Sequence, residues 1–586
     1  DAEGQNQGMY VGGINGNGEL FTGDTATRIY ATIVEEDKDI LTMSGTTNDN
    51  AARTGVIVDQ DGMVYTVGYN GHGEMGNGTV ESLITPWCIS NKKINVDKNV
   101  INFEKTNETE QITYNMSMEF NLLLDEVPGD VCTFKSMDER VATVDEKTGV
   151  VTAVGVGSTY IKIYNESNNI YFAVKVNVNG EGNTTQPKVI GGYNHFVALR
   201  ANGEVWGFGY NGYGQLGDGT ATNRNEPVQM KATIDLEDGE TKEEYVTDAR
   251  DIATGFYFTV VLKEDGTVWT TGSNAYGQLG DGTTTNRNTL KQVKGVGGVG
   301  YLENIIAITA DNCSAYALAE DGSVYAWGAN TYGQFGIGST SDRIYYPVKM
   351  QKVSNIIQIE AGSNHILLLD ADGSVWTTGL NSNGQLGLGD VGNRTLPTQM
   401  IDTDGSVLYG VKEVAAGFSH SLVLKEDGTV WGVGNNTYGQ LMNGSTLQSV
   451  VKVVQALNEE KELITDGKHI ATGGYESYIS RQKDAEGQNQ GMYVGGINGN
   501  GELFTKDTVA RIYATIVEED KDILTMSGTT NNKGARTGVI VDQNGLVYTV
   551  GYNGYGEMGD GTNSSSTTPV CISKLSLTVM PSVINY

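Results

Sequence analysis

Cysteine is scarce in this chain. Its 586 residues include only four cysteines, Cys88, Cys132, Cys313 and Cys571. They are too few and too widely spaced for a disulfide framework or for a metal site of the CxxC type. The cysteines do not indicate whether the protein lies in a reducing or an oxidising compartment. A disulfide that joins Cys88 to Cys132, or Cys571 to the corresponding cysteine of a following unit, stays open as an alternative.

Long apolar runs are missing as well. No stretch of about 18 or more apolar residues occurs, so the sequence predicts no membrane span in this segment. No charged-then-apolar leader opens the chain, and we expect its first residue to be an internal cut within a longer protein.

Basic residues are outnumbered by acidic ones. Lysine and arginine total 39 against 71 aspartates and glutamates, which gives a formal net charge of −32. An acidic surface repels phosphate backbones, so nucleic acid is not expected as a partner.

Motifs of known enzyme classes do not occur either. The sequence contains no Ser-His-Asp order, no Walker loop, no GxGxxG after a strand and no HExxH helix. We therefore expect no catalytic residues, and we expect that the protein is not an enzyme.

Glycine, by contrast, is abundant. The chain has 79 glycines against 8 prolines, and its apolar residues form short runs of valine, isoleucine and tyrosine. This composition predicts an all-β fold with many turns.

A long internal repeat is the strongest pattern. Residues 1–90 match residues 484–573 without a gap, and only 15 of the 90 positions differ. The match continues into the last residues, 574–586, which resemble the start of the segment that follows residue 91. The chain therefore looks like a window of a longer tandem array.

A shorter repeat runs through the second half of the chain. Each copy has an alternating strand, an Asp-Gly or Asn-Gly turn, an apolar-aromatic pair and a glycine-rich tail, at spacings of 51 to 63 residues. Glycine accepts the positive φ that such a hairpin turn requires. Seven copies begin at Val205, Val268, Val324, Val375, Val430, Met492 and Val547.

Three to four short strands per period fit one blade of a propeller, because a blade must pack both faces against its neighbours. The motif resembles the repeats of the regulator of chromosome condensation family. Its fifth copy carries the signature in Asp427, Gly428, Val430, Trp431, Gly434, Asn435, Gly439, Gln440 and Leu441. The sixth copy departs from it and leaves that blade's outer strands in doubt; it keeps Gly496, Ile497, Asn498, Gly501, Glu502 and Leu503. The resemblance implies a seven-bladed β-propeller.

Residues 92–180 lack this motif and predict a sandwich of short alternating strands. They resemble a bacterial immunoglobulin-like domain of the group found in intimin- and invasin-type surface proteins, in which such modules are stalk spacers. The positions that carry the resemblance are Ser136, Asp138, Val141, Ala142, Val144, Asp145, Gly149, Val151, Ala153, Gly157 and Ile161.

The predicted architecture alternates propeller and sandwich along the chain. The expected units are the last two blades of a preceding propeller (1–90), an immunoglobulin-like sandwich (92–180), a linker (181–188), a seven-bladed propeller (189–573) and the first strand of a following sandwich (574–586).

Three histidines, His195, His365 and His420, occupy one equivalent position of the repeat. Other copies place Phe258 and Ser314 there, which argues against a converging metal ring. We interpret them as turn histidines bonded to the backbone.

Acidic pairs precede several of the hairpin turns. They lack the third carboxylate and the distal glutamate of a calcium loop, so solvated turns are the simpler interpretation, with weak Ca²⁺ binding between domains as an open alternative. An acid–base pair is disfavoured because the carboxylates recur with the repeat. The pairs are Asp59 and Asp61, Glu264 and Asp265, Asp370 and Asp372, and Glu426 and Asp427. We expect no other metal and no cofactor.

Five tyrosines lie two residues before the Gln or Glu of the tail: Tyr213, Tyr276, Tyr332, Tyr438 and Tyr555. Packing in turns is the simplest role. Direct contact with a protein partner is the functional alternative, since a propeller face with several aromatic residues suits a protein interface.

The first functional hypothesis is a segment of a bacterial extracellular or cell-surface fibre for adhesion, matrix or scaffold, whose partners are neighbouring repeat units. The alternative is a regulatory or inhibitor propeller that binds a protein partner with one face, as the family resemblance implies. A glycan-binding lectin is the third hypothesis.

Overall fold

A computed structural model describes residues 185–577, apart from 237–238, 485–486, 489–490 and 531–533. Among the preceding residues it describes 9–13, 28–34, 40–45, 54–59, 64–68, 83–88, 92–96, 100–103, 108–112, 114–118, 132–137, 141–154, 157–165 and 170–178. Before residue 100, only the backbone of the strands is described.

The described part of the chain is almost entirely β-structure. Its one helical element is a three-residue 3-10 turn, Val296–Gly298. It thus contains no helix of the length and apolarity that crossing a bilayer demands. The predicted all-β class is confirmed.

Six strands precede the sandwich. Strands β1 and β2 form a two-stranded sheet, and β3 to β6 form a four-stranded sheet. Their register repeats near the C-terminus: Met9 pairs with Val34 as Met492 pairs with Val517. The sequence repeat is therefore also a repeat of strand pairing. The strands are β1 (Met9–Gly13), β2 (Arg28–Val34), β3 (Ile40–Gly45), β4 (Thr54–Asp59), β5 (Val64–Gly68) and β6 (Leu83–Cys88).

Seven of the next nine strands form two sheets that share one core, which we call the sandwich. One sheet has the order β11-β14-β15-β8, a second has the order β12-β13-β9, and β7 pairs with β10. Alternate residues such as Val151, Ile161, Ile163 and Val174 point into a common core and are buried. The strands are β7 (Lys92–Val96), β8 (Val100–Phe103), β9 (Thr109–Gln111), β10 (Tyr114–Met118), β11 (Thr133–Ser136), β12 (Ala142–Val144), β13 (Val150–Ala153), β14 (Gly157–Asn165) and β15 (Ile170–Val178).

Seven antiparallel sheets follow, which we call the first to the seventh sheet in chain order; a hairpin, β20 and β21, extends the second. The first has β16 (Lys188–Gly191), β17 (His195–Leu199), β18 (Val205–Gly209) and β19 (Arg224–Gln229). The second has β20 (Lys231–Asp235), β21 (Thr241–Tyr245), β22 (Ala249–Thr254), β23 (Phe258–Lys263), β24 (Val268–Gly272) and β25 (Arg287–Gln292). The third has β26 (Ile305–Ala310), β27 (Ser314–Ala319), β28 (Val324–Asn330) and β29 (Ser341–Lys349).

The remaining sheets each have four strands. The fourth has β30 (Ile356–Ala361), β31 (His365–Asp370), β32 (Val375–Gly379) and β33 (Arg394–Gln399). The fifth has β34 (Val411–Ala416), β35 (His420–Lys425), β36 (Val430–Gly434) and β37 (Val450–Gln455). The sixth has β38 (Gly467–Thr472), β39 (Glu476–Arg481), β40 (Met492–Gly496) and β41 (Arg511–Val517). The seventh has β42 (Ile523–Gly528), β43 (Thr537–Asp542), β44 (Leu546–Gly551) and β45 (Ser566–Ser576).

The sixth sheet is complete. Although its sequence keeps only part of the motif, its outer strand β41 pairs with β40 as the outer strands of the other sheets do. The doubt that its sequence raised is removed for the described residues, because strand pairing uses backbone groups that tolerate the lost side chains.

One glycine of each motif is required by the backbone. Gly209 ends the third strand of the first sheet with φ +101°, beside a break in register with the fourth strand. A Cβ at this position would lie 2.7 Å from the carbonyl oxygen of Asn194. Only glycine fits, and the six other sheets use glycine there too.

Adjacent sheets pack face to face around a circuit. A separate apolar cluster joins each consecutive pair of sheets, and a seventh cluster joins the last sheet to the first. In that closing cluster, Phe196 and Phe208 pack with Val539, Val541 and Ile572. The Thr530 amide also donates to the Gly192 carbonyl at 2.9 Å. Each sheet therefore buries both of its faces.

The sandwich lies against one end of this circuit. Lys135 Nζ and Glu426 Oε2 are 3.0 Å apart, and Lys175 Nζ donates to the Ile306 carbonyl. Tyr160 and Ala173 pack against the apolar cluster between the fourth and fifth sheets. These contacts involve hairpin turns and the beginnings of innermost strands, so the described residues of the sandwich lie at the end away from the opposite ends of those strands.

The domain boundaries expected from the sequence stay a prediction. Strand β45 runs to Ser576 and Leu577 is buried in the closing cluster, whereas 578–586 and 181–184 lie outside the described residues.

Candidate functional site

The glycine-rich tails form seven loops of one construction. In the first sheet, the Leu216 amide donates to Asn211 Oδ1 at 2.9 Å, and the Tyr213 amide donates to Gln215 Oε1 at 3.1 Å. The first bond recurs in all seven loops at 2.8–3.0 Å. The motif's Asn and Gln are buried and fix the loop, which turns the residue two positions before Gln outward.

The five predicted tyrosines therefore lie at the surface. Tyr213, Tyr276, Tyr438 and Tyr555 are 39–41% exposed, and Tyr332 is partly exposed. The structure brings Tyr213, Tyr438 and Tyr555 into contact with other aromatic rings. Tyr276 instead faces the Arg343 guanidinium, which lies 5.9 Å from its ring centroid.

Seven further aromatic residues, missed by the sequence analysis, complete this surface. Most come from the turn between the first two strands of a sheet, where other copies have Ser or Asn. We define the aromatic cluster as Tyr193, Tyr210, Tyr213, Phe256, Tyr257, Phe418, Tyr438, Tyr475, Tyr552 and Tyr555. Comparing the residues just before the repeated histidine position would have revealed several of them.

The rings of the aromatic cluster are in continuous contact. Tyr210 and Tyr555 have ring centroids 5.3 Å apart, and Tyr213 and Tyr257 have centroids 4.9 Å apart. Phe256 and Phe418, from the second and fifth sheets, stack across the axis of the circuit at 6.3 Å. Offset and edge-on pairs of this kind stabilise one another. The cluster thus spans the centre of the face away from the sandwich.

The buried tyrosine hydroxyl groups of this surface stay protonated at neutral pH. Burial, followed by the neighbouring tyrosines, raises the pKa of Tyr257 to about 12. Burial likewise raises the pKa of Tyr193, Tyr210 and Tyr475. Arg536 lies 5.4 Å from the Tyr475 ring centroid and contributes a cation–π contact. The surface can therefore offer aromatic rings and neutral hydroxyl donors to a partner.

The repeated histidines are buried core residues, which corrects the expectation of turn histidines bonded to the backbone. His365 Nε2 lies 3.0 Å from Ser421 Oγ, and His420 Nε2 lies 3.0 Å from Ser477 Oγ, in each case on the next sheet. Because Ser421 Oγ donates its proton to the Gln385 carbonyl, the Nε2 of His365 must be the donor. Burial lowers the pKa of all three histidines to about 3.

Replacing His420 with alanine is expected to lower the free energy of unfolding at pH 7.5 by about 2–4 kcal/mol, through the lost packing and inter-sheet bond. The folded pKa is depressed, so this stabilisation is present above about pH 6.5 and is lost on acidification. The difference between wild type and variant should shrink by about 1–2 kcal/mol at pH 5. Urea unfolding at both pH values measures it.

The matched control is His469→Ala, because His469 is half-buried and its Nδ1 lies 3.0 Å from Glu413 Oε2. A smaller cost is expected there. A difference for His420→Ala that stays constant between pH 7.5 and pH 5 would contradict the assignment of a neutral buried imidazole.

Acidic residues also occupy positions that other copies fill with neutral ones. Glu476 stands at the histidine position, and Glu502 and Glu557 stand at the glutamine position. All three are buried. Burial, followed by the charge of Glu502, raises the pKa of Glu476 to about 8, and burial raises that of Glu557 to about 7. Glu476 is therefore largely protonated at neutral pH.

The acidic pairs of the hairpin turns bind backbone groups. Asp265 Oδ1 accepts from the Thr267 amide at 2.9 Å, and Asp427 Oδ1 does the same with Thr429. Burial and the neighbouring Asp372 raise the pKa of Asp370 to about 7. Within the described ranges, no three His, Cys, Asp or Glu side chains are placed to hold a metal ion. The Asp59 side chain and Asp61 lie outside the described residues.

The cysteines form no site that the structure describes. Cys313 and Cys571 have free thiols, and burial raises the pKa of Cys313 to about 12. Cys132 is buried in the sandwich core. The side chain of Cys88 lies outside the described residues, so its pairing stays a prediction.

Residues 9–400 match a family model described as the RCC1-like domain. Residues 411–440 and 544–583 match models described as the regulator of chromosome condensation (RCC1) repeat. The resemblance proposed from the motif is thereby confirmed for the repeats.

Two curated relatives share part of the sequence. The ultraviolet-B receptor UVR8 of Arabidopsis thaliana is 25% identical over 330 residues, which are 56% of this chain and 68% of the receptor. The E3 ubiquitin-protein ligase HERC2 of Mus musculus is 30% identical over 244 residues, which are 41% of this chain. The chain spans only 5% of the length of HERC2.

Two solved structures share the fold. Human WBSCR16 superposes with a TM-score of 0.51 at 19% identity, over 63% of this chain and 94% of that one. Prp20p from Saccharomyces cerevisiae, described with binding properties to Gsp1p and histones, has a TM-score of 0.51 at 22% identity, over 64% and 87%.

These relatives correct two expectations. The hypothesis of a bacterial fibre built from neighbouring units is wrong, because the relatives by sequence are a receptor and a ubiquitin ligase. The expected extracellular or cell-surface location is also wrong, since ubiquitin ligation, the activity in the name of the relative HERC2, is a process of the cell interior.

Proposed function

Because the chain belongs to the family of RCC1-like domains, we propose that it is a non-catalytic regulatory propeller that binds a protein partner with one face. The seven sheets are the seven blades of a single closed ring, and the aromatic cluster is the centre of the binding face. The exposed aromatic cluster is the observation that carries this proposal.

The proposal includes the domain division. Residues 189–573 form most of the propeller, and Lys188, at the start of β16, and 574–577, at the end of β45 and in the closing cluster, are added to it. The preceding residues from 181 are the linker, 92–180 are an immunoglobulin-like module, 1–90 are two blades of another ring, and the residues after 577 begin another module. The repeated register of β1 to β5 supports the assignment of 1–90.

The choice of face follows from what covers the other one. The sandwich contacts the hairpin-turn end of the ring through Lys135 and Lys175. The aromatic cluster lies at the far ends of the same strands. A large partner can therefore approach the cluster without displacing the sandwich.

The chemistry of the face suits a protein interface. Tyrosine is enriched where interfaces concentrate their binding energy, because its ring buries apolar area and its hydroxyl makes a hydrogen bond. Tyr213 and Tyr555 are half-exposed and contact rings beneath them. They are preorganised, so little side-chain entropy is lost on binding.

The double variant Tyr213→Ala/Tyr555→Ala is expected to weaken partner binding by about 30-fold or more, which corresponds to about 2 kcal/mol. The immobilised full chain captures partners from an extract of cells that express it. Quantitative mass spectrometry then compares wild type with the double variant, and titration with the purified partner gives the loss of affinity.

Tyr245→Ala supplies the control, since Tyr245 is 58% exposed on the outer hairpin and lies outside the aromatic cluster. Wild type and control should retain the same proteins. Identical captured proteins for all three forms would refute the assignment of the binding face.

A further inference from the structure

The end of the ring beneath the sandwich contains a cavity of about 410 Å³. The beginnings of the innermost strands form its wall, and Lys175 of β15 and the segment Thr185–Lys188 form part of its rim. It is distinct from the aromatic cluster, which lies at the opposite end of the same strands.

Two cations, Lys175 and Arg250, lie at this cavity. Lys175 is 8% exposed, and its Nζ donates only to the Ile306 carbonyl. Arg250 donates through one nitrogen to Asn102 Oδ1 at 3.5 Å, a long hydrogen bond. Neither forms an ion pair within 4.0 Å among the described residues. Uncompensated charge in a half-buried site is costly, so this arrangement favours an anion.

The carboxylates around the cavity have other partners. Asp251 Oδ1 lies 2.7 Å from Lys188 Nζ and accepts from the Ile252 amide. Glu413 binds His469 Nδ1 and the Ile470 amide. These two carboxylates are matched by nearby donors. Glu320 and Glu264 act on Lys175 and Arg250 without forming an ion pair, so both cations can still bind an anion directly.

We propose that Lys175 and Arg250 form a binding site for a small oxyanion, a phosphate or carboxylate group, held between the sandwich and the ring. The guanidinium fork pairs with two oxygens of such a group, and the ammonium supplies a further donor. The bound group bridges the two domains and holds the sandwich in place on the ring.

The electrostatics of Lys175 agree with this arrangement. Burial, followed by the charge of Arg250, lowers the pKa of Lys175 to about 7. Burial also raises the pKa of Glu360, a residue of β30 near Lys188, to about 7. A bound anion would relieve the repulsion between the two cations.

Calorimetric titration of the full chain tests the site, with sodium phosphate and sodium succinate as probes at constant ionic strength and pH 6.5. One of them is expected to bind saturably with one site per chain. Arg250→Gln and Lys175→Gln should each weaken that binding by at least 10-fold, which corresponds to about 1.4 kcal/mol for a lost charge-assisted bond. Tighter phosphate binding assigns a phosphate group, and tighter succinate binding assigns a carboxylate.

Lys242→Gln is the matched control, because Lys242 lies on the outer hairpin and pairs with Glu244. It should bind the probe as wild type does. Circular dichroism checks the fold of each variant, and Lys175→Gln still tests the site if Arg250→Gln does not fold. Absence of saturable binding of both probes, or equal binding by wild type and the two cavity variants, would overturn the proposal.

Discussion

Replacing Trp327 with alanine is expected to lower the free energy of unfolding by about 3–5 kcal/mol, as large-to-small changes of buried aromatic residues do. Trp327 is completely buried between the second and third sheets, where it packs in the cluster that contains Leu279 and Val293. Its indole nitrogen also donates to the Gln278 carbonyl at 2.9 Å. The variant leaves a cavity and an orphaned acceptor at one sheet interface. Guanidinium unfolding followed by tryptophan fluorescence and circular dichroism measures the loss.

Trp431→Ala is the matched control for this prediction. Trp431 stands two motif positions earlier, is half-buried, and donates to Thr429 Oγ1 at 3.0 Å. Lys425 Nζ lies 4.7 Å from its ring centroid. We expect a loss of about 1–2 kcal/mol. Equal losses for the two tryptophans would contradict the view that each sheet interface has its own close-packed core.

Glu476→Gln is expected to stabilise the protein at alkaline pH by roughly 1–3 kcal/mol and to leave its stability near pH 4.5 almost unchanged. The pKa of Glu476 is raised to about 8 by burial and by Glu502. A carboxyl group with a raised folded pKa contributes stability at low pH, which is lost as the pH rises from about 4.5 to 8. Glutamine keeps the neutral shape without this loss. Unfolding in urea at pH 4.5, 7 and 9 gives the profile.

The control for the pH profile is Glu460→Gln, an exposed position in the turn after β37. It should follow wild type at all three pH values. A profile of Glu476→Gln parallel to that of wild type would mean that Glu476 is ionised in the folded protein, contrary to its burial at 0% exposure.

The strand architecture could be predicted from sequence because each element carries a local signal. The Asp-Gly turn between β35 and β36 and the following Val430–Trp431 pair mark a hairpin within a few residues. The glycine that ends each third strand, such as Gly434, is forced by positive φ and so recurs with the period. The hairpin β20–β21 is longer than the single antiparallel bridges at the corresponding place in three other copies, and the repeat could not predict its length.

The aromatic cluster could be predicted only in part. Tyr213 and Tyr555 stand out because they share a motif position, but their contacts with Tyr210 and Tyr257 depend on how neighbouring sheets are packed.

The role of the repeated histidines could also be predicted only in part. Their period was visible, whereas the hydrogen bond from His420 to Ser477 crosses to the next sheet and required the structure.

The error in the first functional hypothesis has a physical origin. A tandem repeat shows that a structural unit occurs several times. It does not determine where the protein acts or what it binds. Those properties depend on the side chains that the ring exposes, which here are the neutral rings and hydroxyl groups of the aromatic cluster.

The closing contacts between the seventh and first sheets have a consequence for biosynthesis. Arg200 Nε donates to the Ser576 carbonyl across 376 residues of chain, and the Ala201 amide donates to the Leu577 carbonyl. During translation, the apolar face of the first sheet therefore stays exposed until the last strand has left the ribosome. The chain loses conformational entropy when its distant ends meet, before the contacts between them stabilise the fold. Ring closure should therefore be the slow and aggregation-prone step of folding.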